Sequence, residues 1–148
     1  MLNTREIPMK FTLAILAVLA TAASPAFAAG DPTKGEAVFK TCQTCHAVID
    51  GDGKVLAGKG KVGPNLYGLF GRQAGTYEGF KYGESIVAAG AAGLVWDEVN
   101  FVEYAQDPTS FLKAKLGGPA KSKMAFKVKD AASAADVYAY LAQFSPAQ

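Results

Sequence analysis

Histidine occurs once in this chain, tryptophan once and cysteine twice, and two of its three methionines fall within the first nine residues. These scarcities exclude a good deal. A tetrahedral zinc site takes four ligands, commonly Cys and His; two cysteines and one histidine would have to borrow carboxylates to make one. A large excess of one charge is also missing. Setting aside Arg5, Glu6 and Lys10 in the N-terminal segment leaves 13 basic against 12 acidic residues, a net charge of +1. Total charge therefore argues against a nucleic-acid binder. The apolar run from Phe11 to Ala23 is shorter than the roughly 20 residues a membrane span needs, and the chain has no internal repeat or low-complexity domain.

What is present at the N-terminus is a targeting pattern. Arg5 and Lys10 precede the apolar run, and Ser24-Pro25-Ala26-Phe27-Ala28 ends in an A-x-A cleavage pattern. Residues 1–28 are read as a secretory signal, removed after Ala28 or Ala29, and residues 29–148 as one compact domain. The competing reading is an uncleaved leader that tethers the domain to a membrane.

The two cysteines and the histidine stand together as CQTCH: Cys42, Cys45 and His46. C-x-x-C-H is the attachment signature of c-type haem, with two thioether bonds from the cysteines and the adjacent imidazole on the iron. A redox dithiol would share the two thiols, but not the need for a histidine beside them. A sixth iron ligand has to come from elsewhere. No second histidine exists, and Met124 is the one methionine beyond the leader. It lies between Lys123 and Ala125-Phe126 in a lysine-studded stretch, a poor setting for core packing and a good one for a ligand offered from a loop. A His/Met pair saturates iron and suits electron transfer rather than substrate turnover. The rival is a gas sensor or enzyme with Met124 dissociated; a peroxidase would also want a distal acid/base, and the sole histidine is already used. Covalent haem is attached outside the bacterial plasma membrane, so the expected location is the periplasm. There, two free thiols this close would otherwise tend to pair.

Charge is polarised along the chain. From Ser110 to Lys129 there are six lysines (Lys113, Lys115, Lys121, Lys123, Lys127 and Lys129) and no acid; from Gly83 to Ser110 there are five acids and no base. A fold that keeps the two segments apart acquires a dipole, and a Lys-rich docking face around the sixth ligand.

Helical signals dominate. A first helix is expected from about Asp31 or Thr33 into the CQTCH motif, with Val38, Phe39 and Cys42 at helical spacing. Residues 50–63, rich in Gly and Lys, read as loop, and Gly63-Pro64-Asn65 continues irregular backbone. Glu84 to Ala89 reads as a short helix stopped by Gly90. Asp97 caps a helix to about Gln106, Asp107-Pro108 opens another that Gly117-Gly118-Pro119 ends, and Lys121 to Lys129 is loop. Asp130 caps a last helix with Val137, Tyr140, Leu141 and Phe144 on its apolar face. The fold class is all-α: several short helices and long loops around one covalently attached haem, which staples a chain otherwise short of regular core.

The segments GEAVFKTCQTCH, GPNLYGLFGR, GFKYGES, the isolated Trp96, FVEYAQDPTSFL, KMAF and DVYAYL occur in the order found in the class I c-type cytochromes. The domain resembles that family over essentially its whole length, and the bacterial cytochrome c2 subgroup, long type, most closely. The connections from His46 to Pro64 and from Tyr104 to Met124 are both longer than in mitochondrial relatives, as in the long type. Ser122 stands where many relatives have threonine.

The resemblance implies roles. His46 is the proximal ligand and Met124 the distal one, with haem c held through Cys42 and Cys45. Pro64 offers its carbonyl to the imidazole Nδ1. The Tyr104 hydroxyl lies near the methionine sulfur. Arg72, Tyr82 and Trp96 hydrogen-bond the propionates, and Phe126 sits beside the exposed haem edge. Gly35 and Phe39 cross Val137 and Tyr140. The resemblance further implies a monomeric, soluble one-electron carrier and not an enzyme. Its partners would be the cytochrome bc1 complex and a photosynthetic reaction centre or terminal oxidase, met transiently on the lysine face.

Overall fold

The computed structural model describes residues 29–146, so the expected leader, residues 1–28, lies outside the described residues. Among the described residues five helices carry the fold: α1 (Pro32–Cys42), α2 (Glu84–Ala91), α3 (Glu98–Gln106), α4 (Pro108–Leu116) and α5 (Ala131–Ala142). Aspartate starts four of them. Asp31, Asp97, Asp107 and Asp130 each accept a hydrogen bond from a backbone N–H of the first turn, satisfying donors that have no partner inside the helix. Among the described residues no helix is long and apolar enough to cross a membrane.

The first and last helices cross as the frame of the fold. Gly35 is buried against α5, where a Cβ would overlap the Asp136 carbonyl, so only glycine permits this approach. The Phe39 ring packs on Tyr140 at 5.3 Å between centroids. Asp31 N–H donates to Asp136 Oδ1 at 2.7 Å and ties the start of α1 to the same helix. Phe39, Val48, Leu112, Val137 and Leu141 lie at the centre of the main core; Val102, Ala105, Val128, Ala134 and Ala135 form a second cluster.

Two sequence expectations need correction. Residues 50–63 are not all loop. A two-stranded antiparallel hairpin pairs β1 (Ala47–Ile49) with β2 (Val55–Gly58). Asp50 Oδ1 accepts from the Asp52 and Lys54 N–H groups to close its turn, and Gly53 there has φ of 81°. The signal was readable: Asp-Gly between two apolar runs marks a hairpin. Gly90 does not stop α2, which continues to Ala91. Gly90 is buried against the Ala74 carbonyl, where a Cβ would overlap it, so this glycine serves packing; the chain turns at Gly93, φ 98°.

The irregular middle is held by backbone pairing at a distance. Gly71 N–H donates to Trp96 O, Trp96 N–H to Arg72 O and Ala74 N–H to Leu94 O, around a bridge between Gln73 and Val95. This pairing fixes Trp96, 7 % exposed, at the inner wall.

Candidate functional site

Most of the residues singled out in the sequence meet at one cavity of about 1120 Å³, above the roughly 300–1,000 Å³ of ordinary ligand sites. Cys42, Cys45, His46, Pro64, Tyr82, Trp96, Tyr104, Met124 and Phe126 all line it. Apolar residues from the main core, including Phe39, Leu66, Leu69 and Leu141, complete the wall.

The end of α1 presents the motif. Cys45 and His46 N–H groups both donate to Cys42 O, which turns the chain tightly after the helix. Burial pushes the Cys42 thiol up from its ordinary value, with Thr41 opposing. His46 Nδ1 lies 2.9 Å from Pro64 O. A carbonyl can only accept, so Nδ1 carries the proton and Nε2 keeps a free lone pair, the tautomer a metal requires. Burial pulls the imidazole down from its ordinary value and the Pro64 bond partly offsets this.

The glycines of residues 58–63 are what the sequence reading missed. Gly60 N–H donates to His46 O and Gly63 N–H to Cys45 O. A Cβ on Gly60 would overlap the backbone of Cys45 and His46, and one on Gly63 would overlap the His46 ring. This stretch lies directly against the haem motif. Asn65 was also passed over. Its side chain accepts from the Ile49 and Tyr67 N–H groups and donates to Ile49 O and Tyr77 Oη. It thereby binds the residue after Pro64 to the strand after His46.

Met124 comes from the segment between α4 and α5, which has no helix or strand of its own. Its N–H donates to Ser122 Oγ at 3.1 Å, and Ser122 Oγ is 3.2 Å from Tyr104 Oη. The Tyr104 hydroxyl is thus partnered with Ser122. Burial raises the phenol from its ordinary value, and the Ser122 bond lowers it.

Arg72 is not among the residues that line the cavity. Its guanidinium donates to Tyr67 O at 3.3 Å and Asn65 O at 3.2 Å and lies 5.0 Å from the Tyr77 ring centroid. It acts on the site as a charge near Tyr82, whose phenol it pulls down against the raising effect of burial.

The lysines redistribute. Lys121 and Lys123 line the cavity together with Lys40 and Lys81, two residues from distant parts of the chain; Lys113, Lys115, Lys127 and Lys129 do not. Helix α4 carries Lys113 and Lys115, and the Lys115 ammonium lies 5.0 Å from the Phe111 ring centroid. Nor are acids and lysines kept apart, because Lys127 Nζ pairs with Asp107 Oδ2 at 2.6 Å.

The donor set fits a covalent porphyrin. Two thiols and an imidazole come from one helix end, a thioether faces the same cavity from a loop, the walls are mainly apolar, and Phe126 is 45 % exposed at the lining. Fold and site define the class as a c-type cytochrome. No family model matches the chain. Cytochrome c2 of Cereibacter sphaeroides is 53 % identical over 140 residues, covering 91 % of this chain and 97 % of that protein. Cytochrome c-551 of Roseobacter denitrificans is 49 % identical over 138 residues, covering 93 % and 97 %. The solved structure of cytochrome c2 from Rhodobacter sphaeroides superposes with a TM-score of 0.78 at 52 % identity, covering 80 % of this chain and 99 % of that one. The chain belongs to the cytochrome c2 family of electron-carrying c-type cytochromes. Members carry one covalent haem c, and Cys42 and Cys45 are the only cysteines here to hold it.

Proposed function

We propose that the chain is a periplasmic one-electron carrier in which His46 and Met124 are the axial ligands. It would take electrons from the cytochrome bc1 complex and pass them to a photosynthetic reaction centre or a terminal oxidase, docking transiently as a monomer. Residues 1–28 would be the export leader. The observation that carries this reading is the convergence of Cys42, Cys45, His46 and Met124 on one mainly apolar cavity.

The haem supplies a one-electron couple at iron. The protein supplies the rest. Pro64 orients the His46 ring through Nδ1 and raises its basicity as a donor. Ser122 and Tyr104 hold the backbone from which Met124 projects. Filling both axial positions leaves little to rearrange when charge changes. Tyr82 and Trp96 offer O–H and N–H donors on the lining for the propionates, with the Arg72 charge near Tyr82. Phe126, exposed at the lining, would cover part of the edge through which the electron would pass. Lys40, Lys81, Lys121 and Lys123, all exposed, line the same cavity and would place positive charge beside that edge.

The test is spectroscopic and kinetic. The oxidised protein should show the weak charge-transfer band of methionine–iron ligation, and Met124→Ala should lose it. The mutant's potential should fall, and it should bind imidazole and, when reduced, carbon monoxide readily. Identical axial-ligand spectra for wild type and mutant would exclude Met124. Redox titration with kinetics against isolated reaction centres tests the partner, and N-terminal sequencing tests the leader.

A further inference from the structure

The loop that carries Met124 is tied to α3 and α4 on both sides of the methionine; upstream it is also tied to Ser85 Oγ through Lys121 N–H at 3.0 Å and to Lys81 O through Lys123 Nζ at 2.9 Å. Upstream of the methionine, Ser122 meets Tyr104 through its hydroxyl and Thr109 Oγ1 through its N–H, at 3.2 and 3.4 Å. Downstream, Val128 N–H donates to Ala105 O at 2.8 Å and the Val128 side chain is buried beside Ala105. Among the described residues, one side-chain tie lies between Met124 and Val128: Lys127 to Asp107.

Asp107 is built to be the fixed half of that tie. It is the junction residue, at once the C-cap of α3 and the N-cap of α4. Its Oδ1 accepts from Ser110 N–H at 3.0 Å, which leaves Oδ2 for the ammonium of Lys127 at 2.6 Å. The start of α4 favours the carboxylate through its unpaired N–H groups. Exposed ion pairs are usually weak because two long side chains must be ordered together. Here the carboxylate is already placed by the helix, and only Lys127 loses freedom.

We propose that Asp107 is a positioning residue for Met124: through Lys127 it closes the downstream side of the methionine loop and sets how often the sixth position opens. This rests on the reading of Met124 as the axial ligand. A docking partner that attracted Lys127 would act on the same tie.

The measurement is the rate of imidazole binding to the ferric holoprotein. Where a loop must open first, the rate levels off at high imidazole at the opening rate. Asp107→Asn keeps an oxygen for the Ser110 N–H and loses the charge; Lys127→Ala removes the other partner. Each should raise the limiting rate about two- to fivefold, the range expected for one exposed ion pair. The double variant should be no faster than the singles, since all three lose the same interaction. High salt should bring wild type toward the variants. Saturating kinetics with unchanged rates in both singles, or increases that multiply in the double, would overturn the clamp. Non-saturating kinetics in wild type, matching Met124→Ala, would instead overturn the axial-ligand reading.

Discussion

Gly63 lies so close to the His46 ring that a Cβ on it would overlap the imidazole. Its N–H also donates to Cys45 O at 2.8 Å, so the backbone cannot simply move away. Gly63→Ala should therefore displace the ring or the loop, at a cost of roughly 1–3 kcal/mol as for other overpacked sites. Gly51 is the control, because a Cβ there meets nothing within 4 Å. Thermal midpoints of the two holoproteins, with the yield of haem-loaded chain, make the comparison. Equal midpoints for both variants would mean the contact has no energetic weight.

This contact marks where the sequence stops being legible. The helices were readable because their signals are local: Asp97, Asp107 and Asp130 announce their own helix starts, and Gly117, φ 66°, ends α4. CQTCH and Met124 were readable because the chain has no other cysteine or histidine and no other methionine beyond residue 9. Gly60, Gly63 and Asn65 were not, because their roles are contacts with Cys45, His46 and Ile49, between 14 and 18 residues away, and glycine-rich sequence looks the same in a free loop and in one pressed on a site. The lysines were legible in part: Lys121 and Lys123 line the cavity with Met124, whereas Lys113 and Lys115, on α4, do not line it.

The Ser122 hydroxyl has two partners, Tyr104 Oη and Met124 N–H. Ser122→Ala leaves both without it in a partly buried setting, a loss of about 1–3 kcal/mol. At roughly 4–8 °C per kcal/mol for a small domain, the midpoint should drop by several degrees. Ser122→Thr keeps the hydroxyl and should recover most of the loss. Tyr104→Phe combined with Ser122→Ala should cost less than the sum of the two, because the pair shares one bond. Full additivity in calorimetry would mean the hydroxyls act independently.

Asp107 gives a pH signature. The Lys127 ammonium, then the Ser110 N–H, hold its carboxyl down from 3.8 to about 2. A depressed carboxylate pKa stabilises the folded protein above the unfolded value, and that contribution is lost as pH falls through the folded one. The stability difference between wild type and Asp107→Asn should therefore be constant from neutral pH to about 5. It should then shrink between about 4 and 2. The pair is exposed, so the difference should also fall with salt. Denaturant midpoints across a pH series measure it; a difference that grows toward acid would contradict the sign.

Docking by charge should follow the lining and not the order of lysines in the chain. Lys40, Lys81, Lys121 and Lys123 are exposed at the cavity that holds Met124 and Phe126. Lys113 and Lys115 sit on α4 outside it, and Lys127 already has Asp107. Electron-transfer complexes must separate quickly, and their interfaces are small, often under about 1,200 Å². Long-range attraction then contributes encounter rate more than lasting affinity. Lys81→Glu and Lys121→Glu should slow the second-order reaction with an acidic-faced partner several-fold at low salt, and Lys113→Glu much less. The Lys127→Glu effect should fall between them, since its charge is partly neutralised within the molecule and reversal also places an acid beside Asp107. All differences should contract as salt rises, because screening acts over about 8 Å at physiological strength. Reduction potentials should move little. Flash or stopped-flow kinetics across a salt series would decide it: if Lys113→Glu slowed the reaction as much as Lys121→Glu at every salt concentration, the partner would be reading overall charge and not this opening.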